Sequence, residues 1–175
     1  MAYDFTTDPF TQVYKSLWAI LIANSTFALL VKSGNRIRFD GTSENPVKYE
    51  AQYADMDEVE IAPLDNTQYV HSSTHVLFTK LWETRVASPS TRLDTYLHPL
   101  AWKIMEILRE CADHNFAAKA TAAGISFDMG YVKGCRIVGY TPANDDDELN
   151  RSTKQWTAKL IVETKLSIHR SELTG

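Results

Sequence analysis

The chain has 175 residues, 44% of them hydrophobic and 23% charged, and a formal net charge of −4. That length holds one domain with a full core and leaves a second one cramped. The acidic balance argues against a general nucleic-acid binder, which carries a basic stripe, and the longest apolar run, Leu17 to Ala23, is far too short to span a membrane.

The opening MAYDFTTDPF lacks a positive segment followed by an apolar run of signal length, so the expectation is a soluble, cytoplasmic product. Asp8 then reads as an N-cap with Pro9 at the first helical position, where a missing N–H costs nothing. Val13, Leu17, Ile20 and Leu21 follow as an apolar stripe at helical spacing, widened by Tyr14 and Trp18. Asn24 or Ser25 interrupts it, and Phe27 to Val31 predicts one or two further turns before Gly34.

Asn35 to Phe39 is a short strand candidate, and Asp40 to Asp57 an irregular insert rich in Gly, Ser, Asn, Pro and acid. Glu58 to Leu64 predicts a second strand with Val59 and Ile61 inward and Pro63 closing it or marking an edge. Ser73 to Ala87 predicts a third. There Val76, Phe78, Trp82 and Val86 share one face, and Leu77, Leu81, Glu83 and Arg85 the other. The mixed second face suggests cover by another element or another subunit.

Thr91 to His114 carries Leu93, Leu97, Leu100, Ile104, Ile107 or Leu108, and Cys111 at helical spacing, with Pro99 kinking the helix or starting its longer half. Ala117 to Ala123 predicts a short helix ending at Gly124, and Gly134 to Tyr140 a fourth strand. After the acidic loop from Pro142 to Ser152, Lys154 to Arg170 alternates strictly. Trp156, Ala158, Leu160, Val162, Thr164, Leu166 and Ile168 point one way, and Thr157, Lys159, Ile161, Glu163, Lys165 and Ser167 the other. At roughly three times the usual 5–6 residues, such a strand has to pair with other long strands or extend past its domain. The expected class is α+β: a mainly antiparallel sheet of about five strands with two main helices on one face, in a single domain over residues 1–175 with an insert at about 40–57.

Residues suited to chemistry are present without forming a catalytic pattern. His71 and His75 have the four-residue spacing of a helical zinc pair, but they fall at the start of a strand and lack the intervening glutamate. His98, His114 and His169 stand alone in sequence. Asp145, Asp146, Asp147 and Glu148 cluster carboxylates that a hard cation favours, without the alternating ligands and central glycine of a calcium loop. Neither phosphate-binding glycine motif nor nucleophile elbow occurs. Cys111 and Cys135 form no CxxC pair and read as small buried hydrophobes in a reducing compartment. No catalytic, cofactor-binding or metal-binding residue is assigned, and no cofactor is expected.

Three segments carry a resemblance: TQVYKSLWAILIANSTFALLV leading into the first strand, TKLWETRVASPSTRLDTYLHPLAWKIMEILREC, and NDDDELNRSTKQWTAKLIVETKLSI. In type and order they resemble the tail terminator, or tail completion, proteins of long-tailed bacteriophages. The resemblance implies a non-enzymatic virion protein, made in the host cytoplasm and placed at the head-proximal end of the tail. It implies six copies in a ring that caps the tail tube, ends its polymerisation and meets a head–tail connector or neck protein. The long final strand would pair across subunits, because cyclic closure removes an open edge. Trp156, Leu160, Val162, Leu77, Leu81 and Arg85 are the expected subunit interface, with Asp145, Asp146, Asp147 and Glu148 at the lumen or between rings. Six acidic chains would let double-stranded DNA pass without specific binding, and no membrane is involved. The alternatives are a neck adaptor on the portal side, and an α+β domain that binds a small ligand or acts as an enzyme between the second helix and the sheet.

Overall fold

The structure, a computed structural model, describes residues 8–32, 36–37, 58–64, 68–71, 74–89, 93–112, 115–125, 132–144 and 155–169. The insert at 40–57 and the acidic run Asp145 to Glu148 lie outside the described residues.

Helix α1 spans Pro9–Ala23 and begins as its sequence dictates: the Asp8 carboxylate accepts the Thr11 N–H at 2.9 Å, with Pro9 in the first turn. Val13, Leu17, Ile20 and Leu21 are buried, and so is Ser16, whose hydroxyl donates to the Gln12 carbonyl at 2.7 Å. Asn24 ends α1 in an extended conformation and caps α2 (Ser25–Leu30), its side chain accepting the Phe27 N–H at 3.1 Å. One residue thus turns a single apolar stripe into two helices.

Pro99 acts as a divider. Leu93–Leu97 forms a wide π-helical turn, and regular α3 runs over His98–Arg109. A proline has no N–H to donate and crowds the carbonyl four residues back, so the turn before it widens and the regular helix starts with Pro99 in its first turn. Leu97, Leu100, Ala101, Ile104, Ile107 and Leu108 are buried, and Tyr96 donates its hydroxyl to the Leu30 carbonyl at 3.0 Å, tying the turn to α2. Helix α4 (Asn115–Ala122) ends at Gly124, whose φ of 90° suits glycine. There Ile125 N–H reaches Ala120 O and Gly124 N–H reaches Thr121 O, satisfying two terminal carbonyls.

The strands are β1 (Arg36–Ile37), β2 (Glu58–Pro63), β3 (Gln68–His71), β4 (His75–Pro89), β5 (Val132–Asn144) and β6 (Gln155–His169). Their order is β1-β2-β4-β6-β5, with β3 also pairing β4. Four strands, β2-β4-β6-β5, form an antiparallel spine, while β1 joins β2 in parallel and β3 is a short strand not anticipated from sequence. The α+β class therefore holds. One core lies between this sheet and the helices, built from Val59, Ile61, Trp82, Val86, Cys135, Ala158, Leu160, Val162 and Leu166 beneath α1, α3 and α4.

β6 is an interior strand. It pairs with β4 along its whole length, from His75↔His169 to Pro89↔Gln155, and with β5 on its other side. This corrects the expectation that its backbone is left open for a neighbouring subunit: the ladder groups are used within the chain. The excess length is explained by β4, which is equally long at 15 residues.

Candidate assembly surface

Two surfaces follow from this arrangement: the outer face of the sheet, away from the helices, and the β5 edge. Because successive strand residues alternate faces, odd-numbered positions of β4 and β6 lie together on the outer face. Leu77, Leu81 and Arg85 of β4 thus share it with Ile161 and Glu163 of β6. Leu77 is 44% exposed, and Leu81, Arg85 and Ile161 are half-buried. Charges frame these apolar groups. Arg85 donates to Glu60 of β2 at 2.7 Å, and Arg136 of β5 to Glu163 at 2.9 Å.

The expected interface set is split by the pleat. Leu77, Leu81 and Arg85 do share the outer face. Leu160 and Val162 lie on the helix face at 0% exposure and cannot offer side chains to another copy. Their inward positions follow from the alternation itself, so the expectation is corrected for both. Trp156, also on the helix face, is half-buried against the core at one end of β6.

β5 is the terminal strand of the sheet among the described residues, with register shifts between Val132 and Gly134, Ile137 and Gly139, and Thr141 and Asn144. Such bulges twist an edge and interrupt the row of ladder groups available to another strand. The edge nevertheless carries Val138 and Tyr140 at 44% and 38% exposure. Contacts there would use side chains more than a continuous added strand. Sequence reading missed these two residues, because bulges break the alternation that would have marked them.

A cavity of about 500 Å³ opens between the first turns of α1 and the β2–β4 side of the sheet, lined by Phe10, Thr11, Tyr14, Pro63, Phe78, Lys80 and Trp82. Phe10 meets Phe78 edge-on at 5.4 Å, and Tyr14 meets Trp82 at 5.9 Å. Lys80 occupies an inward position between Phe78 and Trp82. Its ammonium donates to the Leu64 carbonyl at 2.5 Å and lies 5.8 Å from the Trp82 ring. That inward lysine was the available sequence signal. The cavity does not sit between the second helix and the sheet, where the ligand-binding alternative would place its pocket, and its wall is apolar apart from Thr11, Tyr14 and Lys80.

Cys111 and Cys135 are free thiols and both are buried. Burial pushes the Cys135 thiol up to about 12, the nearby Cys111 adding to the rise. Burial also raises Cys111 to about 11, against a smaller opposing effect of Lys119. Both are therefore neutral and poor nucleophiles at physiological pH. Among the described residues no three His, Cys, Asp or Glu side chains converge on a common point, and no helix is long and apolar enough to cross a membrane.

No family model and no curated protein sequence matches this chain. Among solved structures, the fold is similar to a chain of the virion of a native gene transfer agent particle, with a TM-score of 0.58 and 11% identity. The similarity covers 95% of this chain and 100% of that one. At such identity the likeness is one of fold.

Proposed function

We propose that the protein is a structural, non-catalytic component of a phage-like virion. The observation that carries this reading is the end-to-end fold similarity to a chain of a gene transfer agent virion. A fold by itself does not assign a role. Here it agrees with two places where apolar side chains are exposed or half-buried, Leu77 and Leu81 on the outer face and Val138 and Tyr140 on the β5 edge, as subunit contacts require.

Within the virion, the role we infer is that of a ring of about six copies capping the head-proximal end of the tail tube, ending its growth and presenting a surface to the connector. Lateral contacts would use the β5 edge of one copy and the outer sheet face of the next, with Leu77, Leu81 and Arg85 in the contact and Trp156 at its margin. A heterologous contact of this kind joins two different patches of one chain, and it closes into a ring when its rotation divides a full turn. The run Asp145 to Glu148 would face the channel and repel the DNA that passes through.

Solution mass and negative-stain imaging, with and without isolated tail tubes, test the reading. Six-fold rings that seat on tube ends are expected. A monomer that ignores tubes would overturn the ring, and rings that bind only the portal would move the protein to the neck.

A further inference from the structure

We propose that His75 and His169 form a two-histidine site for a borderline divalent cation such as zinc or nickel. They are almost a hundred residues apart in sequence and nothing in the sequence pairs them. The β4–β6 register makes them direct cross-strand partners at one end of the longest ladder in the molecule. Directly opposite residues share a face, so their imidazoles project to the same side of the sheet. The ring centroids lie 5.1 Å apart with the planes at 85°.

That spacing matches a chelate. With metal–nitrogen bonds of about 2.0–2.1 Å and roughly 1.1 Å more to each ring centre, two imidazoles at a tetrahedral angle have centres about 5 Å apart. The cross-strand register thus already sets the ring centres at the separation of a chelate. Steep planes between the rings are compatible with it, because each ring can turn about its own metal–nitrogen bond.

A second observation orients one ligand. The Thr74 hydroxyl and His75 Nδ1 are 2.8 Å apart. Metal-binding histidines are held in this way at one ring nitrogen so that the other meets the ion; here Nε2 would be the ligand atom. His75 is half-buried and His169 exposed, so an ion with its remaining waters can enter. The next pair on the same face is Leu77 and Ser167, both uncharged. His71, four residues before His75, is in backbone register with Val76. The chemistry selects imidazole-loving ions over magnesium or calcium, which prefer oxygen.

The test is isothermal titration of the untagged chain with zinc chloride, beside melting curves in zinc and in EDTA, for wild type, His75→Gln, His169→Gln and Thr74→Val. Wild type is expected to take up one zinc per chain and to melt higher in zinc than in EDTA. Either histidine variant should lose both effects while melting with wild type in EDTA. Thr74→Val should weaken binding by about tenfold, the usual effect of losing an outer partner. Absence of zinc uptake by wild type, or equal uptake by the two histidine variants, overturns the site. Magnesium in place of zinc should have no effect, and an equal response to it would also overturn the site.

Discussion

Trp82 donates its indole N–H to the Thr164 hydroxyl at 2.9 Å inside the core, across the β4–β6 pair. Thr164 in turn donates to the Lys80 carbonyl at 3.3 Å. A polar pair in an apolar layer specifies one register: a slip of β6 by one residue would move Thr164 to the other face and leave the indole without an acceptor. Trp82 can be buried here because Thr164 stands where the alternation of β6 would otherwise put another aliphatic side chain.

Thr164→Val preserves shape but leaves the Trp82 N–H buried and unsatisfied, which should cost about 1–3 kcal/mol. Urea unfolding should show the midpoint falling with little change in slope. In Trp82→Phe the loss of Thr164 should matter less, and a double-mutant cycle would expose that coupling. Additive costs would show that the hydrogen bond contributes nothing.

Leu160 and Leu77 separate folding from assembly. Leu160→Ala empties a fully buried site and should destabilise the chain by about 2–5 kcal/mol. Leu77→Ser changes an exposed site, so its effect on chain stability should stay within about 0.5 kcal/mol. If the outer face is a subunit contact, Leu77→Ser lowers the solution mass while the melting of dilute protein is unchanged. An unaltered mass in that variant removes Leu77 from the interface.

The two thiols give stability a pH dependence with a definite sign. A free thiol ionises near 9.0, whereas in the folded chain burial raises Cys111 to about 11 and Cys135 to about 12. Above pH 9 the unfolded chain loses these protons before the folded one, so stability falls as pH rises from 9 towards 11–12 and is fully retained below 9. Replacing both cysteines with alanine should flatten that decline in alkaline urea titrations. Maleimide should label the native thiols slowly at pH 8 and the unfolded ones fast.

Asn24 is the side chain that caps the N-terminus of α2, so Asn24→Ala should cost about 1 kcal/mol, and Asn24→Asp much less. Thermal melting of the three proteins checks the order. Because Tyr96 holds the Leu30 carbonyl at the far end of α2, the loss should register in the global transition and not as local fraying.

Locally encoded features were legible in the sequence. The Asp8–Pro9 start of α1, the division at Pro99, the stop at Gly124 and the two faces of β4 and β6 depend on caps, ring constraints and alternation, all readable within a few residues. The same alternation already turned Leu160 and Val162 inward, and the interface expectation failed there because it followed strand length and not facing. The β3 strand was missed because four residues carry too little periodicity to stand out.

The types of the longer elements, the inward faces of β4 and β6 and the α+β class could thus be read from the chain alone, because each is set by neighbours three or four positions away at most. The tertiary structure decided the rest. Pairing places β6 between β4 and β5, leaves the bulged β5 at one end of the sheet among the described residues, opens the cavity beside Lys80, and brings His75 to His169. Those outcomes depend on which strands meet and in what register, a choice settled by burying one shared apolar face beneath the helices, and no single stretch of the chain contains it.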